Sequence, residues 1–519
     1  MAKQYFFGLT GHKLRTAQLW AVIMPAFILF GYNQAVAGGL LGLPTWIATF
    51  PRIDTSTGNA ALNTHNSRIQ GAVVALYTLG AMFGALSCIP LGDRLGRLRM
   101  MQLGSAVHIV GSILQASSFS LGQLIVGRLI AGLGFGALSA TAPNWQSECS
   151  LAQHRGATVI MESVFISLGL AIAAWVTLGT SFIASSASWR FPLALSSLWA
   201  IITIITSAMM PESPRWLLKR GRVEDARQVM AALNGIQPED PQIQADIDEI
   251  NQSLRVAGNA RFVDIFKMGE LRLFNRAALA CAGQMFQQLT GINALAFYLA
   301  TIFHTYLGLT GFQAGIVAAS TFTFQMVCSP IGVLTVDRFG RRKLMMVSAF
   351  GMGACMAIVA GTTSQTNNKA ASGVAGAMIF LFSLFFPVGF LGMTFLYASE
   401  IAPNTVRVQI TSLSTATAWV FNFMVALVTP VGFATIGWRY FIVWACMNWF
   451  LLLPCVYFFF PETAGRHLEE VDEIFRNSKN IFDPVKQARY FVPHRPFESE
   501  EAGSDNVVRE KVAMKYDEQ

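Results

Sequence analysis

The sequence contains little charge. Asp, Glu, Lys and Arg make up 13% of its 519 residues, whereas hydrophobic residues make up 53% and include 40 Phe. So few charged residues cannot cover the surface of a water-soluble protein of this size, which excludes a soluble globular domain. The composition therefore predicts a membrane protein, with the lipid bilayer as its first expected partner.

The sequence also lacks the motifs of common catalytic and metal sites. It contains no HExxH, GxSxG or Walker sequence, which gives no support for a membrane hydrolase or an ATP-driven pump. Its seven Cys include no CxxC pair, so neither a metal site nor a disulfide framework is expected. We expect no enzyme activity and no cofactor.

Long apolar runs account for most of the chain. Each is roughly 20 residues long, which is enough to cross a hydrocarbon core of about 30 Å as a helix. Twelve such runs lie near 20–43, 70–90, 100–118, 122–143, 159–180, 191–210, 276–299, 312–336, 344–361, 374–396, 411–430 and 439–460. The prediction is an all-α membrane protein with twelve transmembrane helices.

Positive charges concentrate in alternate loops between these runs. Arg94, Arg97 and Arg99 follow the second run, Arg155 follows the fourth and Arg407 follows the tenth. Because loops rich in Lys and Arg stay in the cytosol, we expect both termini of this multi-pass protein to be cytosolic. The plasma membrane is its expected location. The net charge of +8 then reports this topology, and no binding to nucleic acid is expected.

Three short motifs each occur twice, in the same order in the two halves of the sequence. They are DRLGRLRM (93–100) and DRFGRRKL (337–344), SECSLAQHR (147–155) and SEIAPNTVR (399–407), and PESPRW (211–216) and PETAGR (461–466). Their joint repetition predicts two homologous six-helix bundles in parallel orientation.

The expected domain division follows from these repeats. It comprises a cytosolic N-terminus at 1–19, a first bundle at 20–210, a small cytosolic helical linker at 211–275, a second bundle at 276–460 and a C-terminal segment at 461–519. Within the linker, 223–233 and 243–254 have the apolar spacing of short amphipathic helices. The polar tail from about 477 is expected to be disordered.

The motifs together resemble the sugar porters of the major facilitator superfamily, in the form common among fungi. The resemblance covers residues 15–475 and also rests on QQLTGIN (287–293), GFLGMTFLYASEIAP (389–403) and PETAGRHLEEVDEIF (461–475). It implies the major facilitator fold, with one central sugar site that opens alternately to either side. It further implies transport of a hexose or pentose by a protein expected to be a monomer.

The repeated charged motifs are expected to form a cytosolic gate. Glu148 would pair with Arg97 or Arg155, and Glu400 with Arg341 or Arg407, which would latch the outward-facing state. The full predicted gate comprises Asp93, Arg94, Arg97, Glu148, Arg155, Asp337, Arg338, Arg341, Glu400 and Arg407. A simpler alternative is that the arginines only enforce topology, which leaves the fixed spacing of Asp, Glu and Gly unexplained.

The sugar site is expected near the middle of the membrane, where amides offer donors and acceptors to hydroxyls and aromatic rings stack on the sugar. Four amides of the seventh run match the family's sugar-binding positions: Gln284, Gln287, Gln288 and Asn293. The other residues of the predicted site are Gln325, Phe395, Trp419, Asn422 and Ser163. The alternative is that the amides only join helices.

Several positions depart from the family pattern. Ala418 stands where many relatives have Asn, Phe395 and Phe390 where the fungal relatives usually carry Trp, and Gln325 where Asn is frequent. Phe keeps an aromatic face but lacks the indole N–H. These departures leave the identity of the sugar open, including a polyol or a glycosylated metabolite.

Energy coupling depends on Asn33, since proton-coupled relatives usually have Asp there, facing an Arg that matches Arg128. An amide cannot titrate, so Asn33 favours facilitated diffusion over proton symport. Glu162, a carboxylic acid within the fifth run, keeps symport open as an alternative.

Two other classes share this fold. A non-transporting sugar sensor would carry a long cytosolic tail, and the segment after PETAGR is short. An exporter of a secondary metabolite would keep the gate but lose the sugar contacts; the amides of the seventh run argue against this alternative, whereas Phe395 and Ala418 favour it.

Overall fold

The computed structural model describes residues 6–55, 60–150, 155–257, 262–365, 368–403, 406–466 and 468–490, and their regular secondary structure is entirely helical. The helices of the first half are α1 (Gly11–Gln18), α2 (Met24–Leu40), α3 (Pro44–Thr49), α4 (Ala60–Leu95), α5 (Arg97–Ala116), α6 (Leu121–Cys149), α7 (Arg155–Thr180) and α8 (Ala187–Ala208). The linker forms α9 (Pro214–Lys219), α10 (Val223–Asn234) and α11 (Pro241–Ala257).

The second half follows these helices. Its helices are α12 (Leu273–Leu289), α13 (Ile292–Leu307), α14 (Gly311–Phe339), α15 (Arg341–Thr363), α16 (Lys369–Phe386), α17 (Met393–Ile401), α18 (Arg407–Ile436), α19 (Tyr440–Cys446) and α20 (Leu453–Phe459). Two short helices follow, α21 (Leu468–Arg476) and α22 (Asp483–Tyr490).

Among the described residues, nine helical stretches are long and apolar enough to cross a membrane. Three features account for the difference from twelve. Helix α5 is not among the nine, the predicted seventh span divides into α12 and α13, and the predicted eleventh and twelfth spans form one stretch, Arg407–Phe459. The chain is thus an all-helical, multi-pass membrane protein.

Three predicted spans are interrupted near their middles, and the twelfth is one of them, with a π-helical segment over Met447–Leu452. The seventh span, expected as one helix over 276–299, breaks at Thr290 and Gly291, where Gly291 has a φ of 97°. The tenth widens into a π-helical turn over Pro387–Leu391. Such interruptions free backbone carbonyls within the membrane, and these carbonyls need partners from side chains.

The two halves contact each other at both ends of the molecule. At the end that carries the charged motifs, here called the charged end, the Asn144 side chain donates to Thr411 Oγ1 at 3.0 Å. Toward the opposite end, Trp175 Nε1 donates to Thr323 Oγ1 at 3.0 Å and α2 packs against α13. The structure therefore represents a conformation closed at both ends.

The C-terminal segment is more ordered than the sequence indicates. The tail was expected to be disordered from about 477, but α22 occupies Asp483–Tyr490. Asp483, the first residue of this helix, holds the preceding turn by accepting from the backbone N–H of Lys479 and Asn480, each at 2.8 Å, and the Phe482 ring stacks on Phe459 at 4.9 Å. The remaining tail lies outside the described residues.

A buried arginine attaches α21 to the second half. Arg276, at the start of α12, is 1% exposed. Its guanidinium pairs with Asp472 of α21 at 2.5 Å, donates to the Ile401 carbonyl of α17 at 2.6 Å and lies 4.9 Å from the Phe475 ring. One side chain thus holds three helices together.

We expect Asp472→Asn to destabilise the protein, because it leaves the buried Arg276 cation without a counter-ion. A fully buried pair would lose about 3–5 kcal/mol, and partial exposure of Asp472 reduces this to about 1–3 kcal/mol. The measurement is the thermal unfolding midpoint of detergent-purified protein. Glu473→Gln is the control, since Glu473 is the exposed neighbour on the same helix. Equal midpoints for the two variants would contradict this role of Arg276.

Candidate functional site

The first charged motif forms a buried ion-pair network around Arg97. Its guanidinium makes a two-point contact with Glu148, from Nε to Oε2 and from Nη2 to Oε1, each at 3.0 Å. Nη1 reaches Asp93 Oδ1 at 3.3 Å. The side chains of Arg97 and Glu148 are each 6% exposed. A two-point contact of this kind fixes the orientation of both groups and joins α5 to α6.

The second charged motif repeats this geometry around Arg341. Its Nε and Nη2 donate to Glu400 at 3.2 and 2.8 Å, and Nη1 donates to Asp337 at 3.0 Å. In each motif the Arg and Glu belong to the same half of the molecule. The pairs therefore fix the helix ends of each half at the charged end, here called its rim, and do not connect the two halves directly.

The other predicted gate residues have different environments. The Arg94 and Arg338 side chains are exposed, and Arg407 is buried and donates to the Ala402 carbonyl at 3.4 Å. The Arg155 side chain lies outside the described residues.

Two further carboxylates complete the charged motifs, and they were absent from the predicted gate. Glu212 accepts from the backbone N–H of Arg97 and Leu98, each at 3.1 Å. Glu462 accepts equivalently from Arg341 and Arg342, at 2.8 and 3.1 Å. Each carboxylate therefore caps a helix N-terminus, where a negative charge is stabilised. The recurrence of PES and PET in the sequence was the signal that could have identified them.

These caps explain the glycine in each charged motif. Gly96 and Gly340 have φ values of 94° and 84°. A Cβ atom on Gly96 would lie 2.6 Å from Glu212 Oε2, and one on Gly340 would lie 2.5 Å from Glu462 Oε2. The pKa of the Glu212 carboxyl is raised above its ordinary value, because burial outweighs the opposite effect of the backbone N–H groups that donate to it.

Three amides of the interrupted seventh span form one chain of hydrogen bonds. Asn293 donates to Gln288, and Gln288 donates to Gln287 Oε1 at 2.8 Å. Gln287 in turn donates to the carbonyls of Phe390 and Leu391, at 3.1 and 2.9 Å. The chain thus joins the break in the seventh span to the π-helical turn of the tenth.

The remaining polar candidates fall into two groups. The Gln325 amide nitrogen donates to Ser167 of α7 at 3.2 Å, while its oxygen has no partner among the described residues; Ser163 donates to the Ile160 carbonyl of its own helix at 2.6 Å. In contrast, both side-chain polar atoms of Gln284, the Trp419 indole nitrogen and the Asn422 oxygen have no hydrogen-bond partner among the described residues. All three residues are at most 2% exposed.

Aromatic rings fill the interface between the two halves. The Trp419 ring lies 5.3 Å from Phe30 and 5.4 Å from Phe135, Phe30 lies 6.4 Å from Phe395, and Phe135 lies 5.9 Å from Tyr77. The sequence prediction included Trp419 and Phe395 but missed the three rings from the first half. The chain contains 40 Phe, and the sequence alone cannot distinguish an aromatic residue at a binding site from one that packs in a membrane helix.

The predicted coupling residues are buried but do not pair. Asn33 donates to the Leu29 carbonyl of its own helix at 3.0 Å. Arg128 is 3% exposed and forms no ion pair within the described part of the chain. Glu162 is 0% exposed, and both its oxygens lack hydrogen-bond partners there.

Two halves that contact across a buried polar and aromatic interface, with matching charged rims at one end, define a multi-pass membrane transporter. The Sugar (and other) transporter family model matches residues 19–475. The chain therefore belongs to this family, and it is a transporter rather than an enzyme.

Similar proteins agree with this assignment. The chain is 36% identical to the MFS-type transporter oryC of Aspergillus oryzae, covering 92% of this chain and 88% of oryC. It is 34% identical to the sugar transporter STL1 of Saccharomyces cerevisiae, covering 90% and 82%. The fold is similar to that of the proton:xylose symporter XylE, with a TM-score of 0.75 at 22% identity, covering 89% of this chain and 99% of XylE.

Proposed function

We propose that this protein carries a sugar, a hexose or pentose, across the plasma membrane by alternating access and facilitated diffusion. The observation that carries the proposal is the set of buried polar atoms on Gln284, Trp419 and Asn422 that have no partner among the described residues, on two helices of which α18 places Trp419 against rings of the first half. Leaving such atoms without partners costs about 1–3 kcal/mol per group. A hydroxylated ligand bound between the halves would supply the missing partners.

The contacts around Arg128 support transport without proton coupling. A carboxylate beside a buried Arg can bind and release a proton as the pair breaks. Here the matching position is Asn33, whose amide donates to the Leu29 carbonyl. Among the described residues, no carboxylate forms an ion pair with Arg128.

The charged motifs support alternating access. They give the two halves matching rims at the charged end, and the sequence pattern predicts that this end is cytosolic, with both termini. Opening this end requires the contacts between the rims, including Asn144 with Thr411, to separate. The two halves pack along α4 with α18 and along α7 with α14, so opening one end can keep the contacts at the other, and the two open states can be close in free energy.

Uptake of radiolabelled hexoses, pentoses and polyols into transporter-deficient yeast tests this proposal. We expect uptake of at least one sugar that equilibrates across the membrane and persists when a protonophore is added. Concentrative uptake that the protonophore abolishes would contradict facilitated diffusion, and the absence of any uptake would contradict sugar transport.

Proton symport is the second candidate, and Glu162 favours it. This carboxylic acid is completely buried in α7, one residue from Ser163 of the predicted sugar site. If it binds a coupling proton, Glu162→Gln would abolish concentrative uptake but preserve exchange of labelled sugar across the membrane. Under our proposal the variant retains equilibrative uptake.

A further inference from the structure

A cleft of about 570 Å³ lies on the second half, outside the central interface. It forms where the linker enters α12 and where the chain passes from α21 to α22. Two cations, Arg272 and Lys479, line it together with the apolar side chains of Met268, Ile481 and Phe482. None of these residues belongs to the predicted gate or the predicted sugar site, so the proposed function does not account for them.

The cleft is level with the ends of two membrane spans. Arg272 immediately precedes α12, and the Phe482 ring stacks at 4.9 Å on Phe459, the last residue of α20. Helix α20 leads into the PETAGR motif of the charged end. Beside the cleft, the side chains of Phe274 and Phe458 are 45% and 52% exposed, as expected where the ends of membrane helices face lipid. The cleft therefore lies at the depth of the lipid headgroups.

Apolar side chains surround the cleft without being covered by the protein. Met268, Ile481 and Phe482 are each 44–47% exposed, and Val263 of the adjoining linker is 63% exposed. Covering apolar surface stabilises a protein by about 25 cal/mol per Å², which these side chains forgo if they face water. At the membrane boundary, acyl chains can cover them. The pattern indicates a surface that meets the bilayer.

The two charged residues that line the cleft are both cations. Neither Arg272 nor Lys479 forms an ion pair among the described residues. The Asp483 carboxylate interacts electrostatically with Arg272 and Lys486, but it accepts its hydrogen bonds from two backbone N–H groups. Glu270 is exposed and does not line the cleft. A guanidinium and an ammonium group side by side match the oxygens of a phosphate.

The backbone at Arg272 is unusual. Its φ is 47°, and Phe7 is the only other non-glycine residue with a positive φ in the described chain. This left-handed conformation costs a residue with a Cβ atom about 1–2 kcal/mol, whereas Gly adopts it readily. The Arg272 guanidinium donates to the Lys479 carbonyl, which joins the start of α12 to the segment before α22. The conformation thus brings both cations to one cleft.

We propose that this cleft binds the headgroup of an anionic phospholipid. Arg272 and Lys479 hold its phosphate, and Met268, Ile481 and Phe482 contact its acyl chains. The charged end is predicted to be cytosolic, and the cytosolic leaflet is the one that carries anionic lipids. A lipid bound here ties the linker and α22 to the membrane spans of the second half. The inference does not depend on the identity of the transported substrate.

Binding of fluorescent phosphatidylserine to the detergent-purified, full-length protein tests the inference. We expect saturable binding, and binding of phosphatidylcholine with the same acyl chains at least tenfold weaker, equivalent to about 1.4 kcal/mol. Inorganic phosphate, added at constant ionic strength, should displace the lipid far less effectively than unlabelled phosphatidylserine does. Equal binding of the two lipids would overturn the inference. Displacement by phosphate as effective as that by phosphatidylserine would also overturn it, since the cleft would then be a site for a free anion.

A pair of double variants assigns the binding to the cleft. Arg272→Asn with Lys479→Gln should weaken phosphatidylserine binding by about tenfold or more, and Asn at 272 tolerates the left-handed backbone. Arg99→Gln with Lys343→Gln is the control, because it also removes one exposed Arg and one exposed Lys from the charged end. The control should change binding by about twofold at most. Undiminished binding in the first double variant, or an equal loss in both, would overturn the inference.

A single variant tests the apolar part of the cleft and keeps both cations in place. Ile481→Ser should weaken phosphatidylserine binding by about threefold, because less apolar surface remains for the acyl chains to cover. The thermal unfolding midpoint of each variant shows whether its fold is intact. If Ile481→Ser binds the lipid as the unaltered protein does, the side chain does not contact an acyl chain and the inference fails.

Discussion

Replacing Arg97 or Arg341 by Ala should reduce transport by more than tenfold and favour the conformation that is open at the charged end. Each Arg is buried and makes a two-point contact with a Glu, whose side chain is 6% exposed for Glu148 and 15% exposed for Glu400, and a second contact with an Asp. Removing one partner of a buried ion pair costs about 3–5 kcal/mol. Because each pair lies within one half, its loss biases the two conformations only through the shape of the surface that meets the other half; even about 1.4 kcal/mol of that loss changes the ratio of the two states tenfold.

Cysteine cross-linking across the charged end measures this shift. A Cβ atom on Gly92 of α4 would lie 3.9 Å from a methyl group of Val408 on α18, so Gly92→Cys with Val408→Cys reports contact between the halves. We expect rapid cross-linking in the otherwise native chain and slow cross-linking when Arg97→Ala is added. Single-cysteine variants correct for other reactions.

Arg99→Ala is the matched control for the topological explanation. Arg99 belongs to the same charged motif, but its side chain is exposed. If the arginines only kept these loops in the cytosol, Arg97→Ala and Arg99→Ala would have similar effects on transport and cross-linking. A large effect confined to Arg97 would show that the ion pair, and not the charge alone, matters.

Replacing Gln287 by Leu should abolish transport and also lower stability, whereas Gln284→Leu should abolish transport alone. The Gln287 amide donates to the Phe390 and Leu391 carbonyls at the π-helical turn, and because the Thr394 hydroxyl also donates to Phe390, its loss removes the side-chain donor of the Leu391 carbonyl, which costs about 1–3 kcal/mol. Gln284 is 0% exposed and both its polar side-chain atoms lack partners among the described residues. Replacing it removes an unsatisfied amide, so stability should be unchanged or higher.

Thermal unfolding and sugar binding, measured on purified protein, separate the two roles. We expect a lower unfolding midpoint only for Gln287→Leu and loss of sugar binding for both variants. If Gln284→Leu binds and transports sugar normally, Gln284 is not a substrate ligand. If Gln287→Leu unfolds at the normal temperature, the Gln287 amide does not hold the seventh and tenth spans together.

The sequence predicted most of the architecture because membrane helices have a strong and local signal. Hydrocarbon cannot hydrogen-bond to the backbone, so long apolar runs must become helices. The amphipathic linker helices lie close to their predicted positions, as α10 and α11. The breaks in the seventh and tenth spans were not predicted. They occur at Thr290, Gly291 and Pro387, and Thr, Gly and Pro are also found within uninterrupted membrane helices.

Prediction of the site was uneven for a similar reason. Residues with unusual chemistry for a membrane, such as Arg97, Glu148 and Gln287, could be selected from the sequence. Phe30, Phe135 and Tyr77 could not, because aromatic residues are common along the apolar runs. Arg276 was also missed, since its partner Asp472 lies far away in the sequence and belongs to a helix outside the membrane spans.

The sequence by itself therefore determined the class of the protein, the repeat of its halves and the chemical groups available for gating and binding, since these depend on composition and spacing. Only the tertiary structure decided which of those groups are engaged and which are free. That distinction depends on contacts between distant segments: Gln287 is engaged because the tenth span unwinds beside it, and Gln284 is free because no polar group in the described chain reaches it.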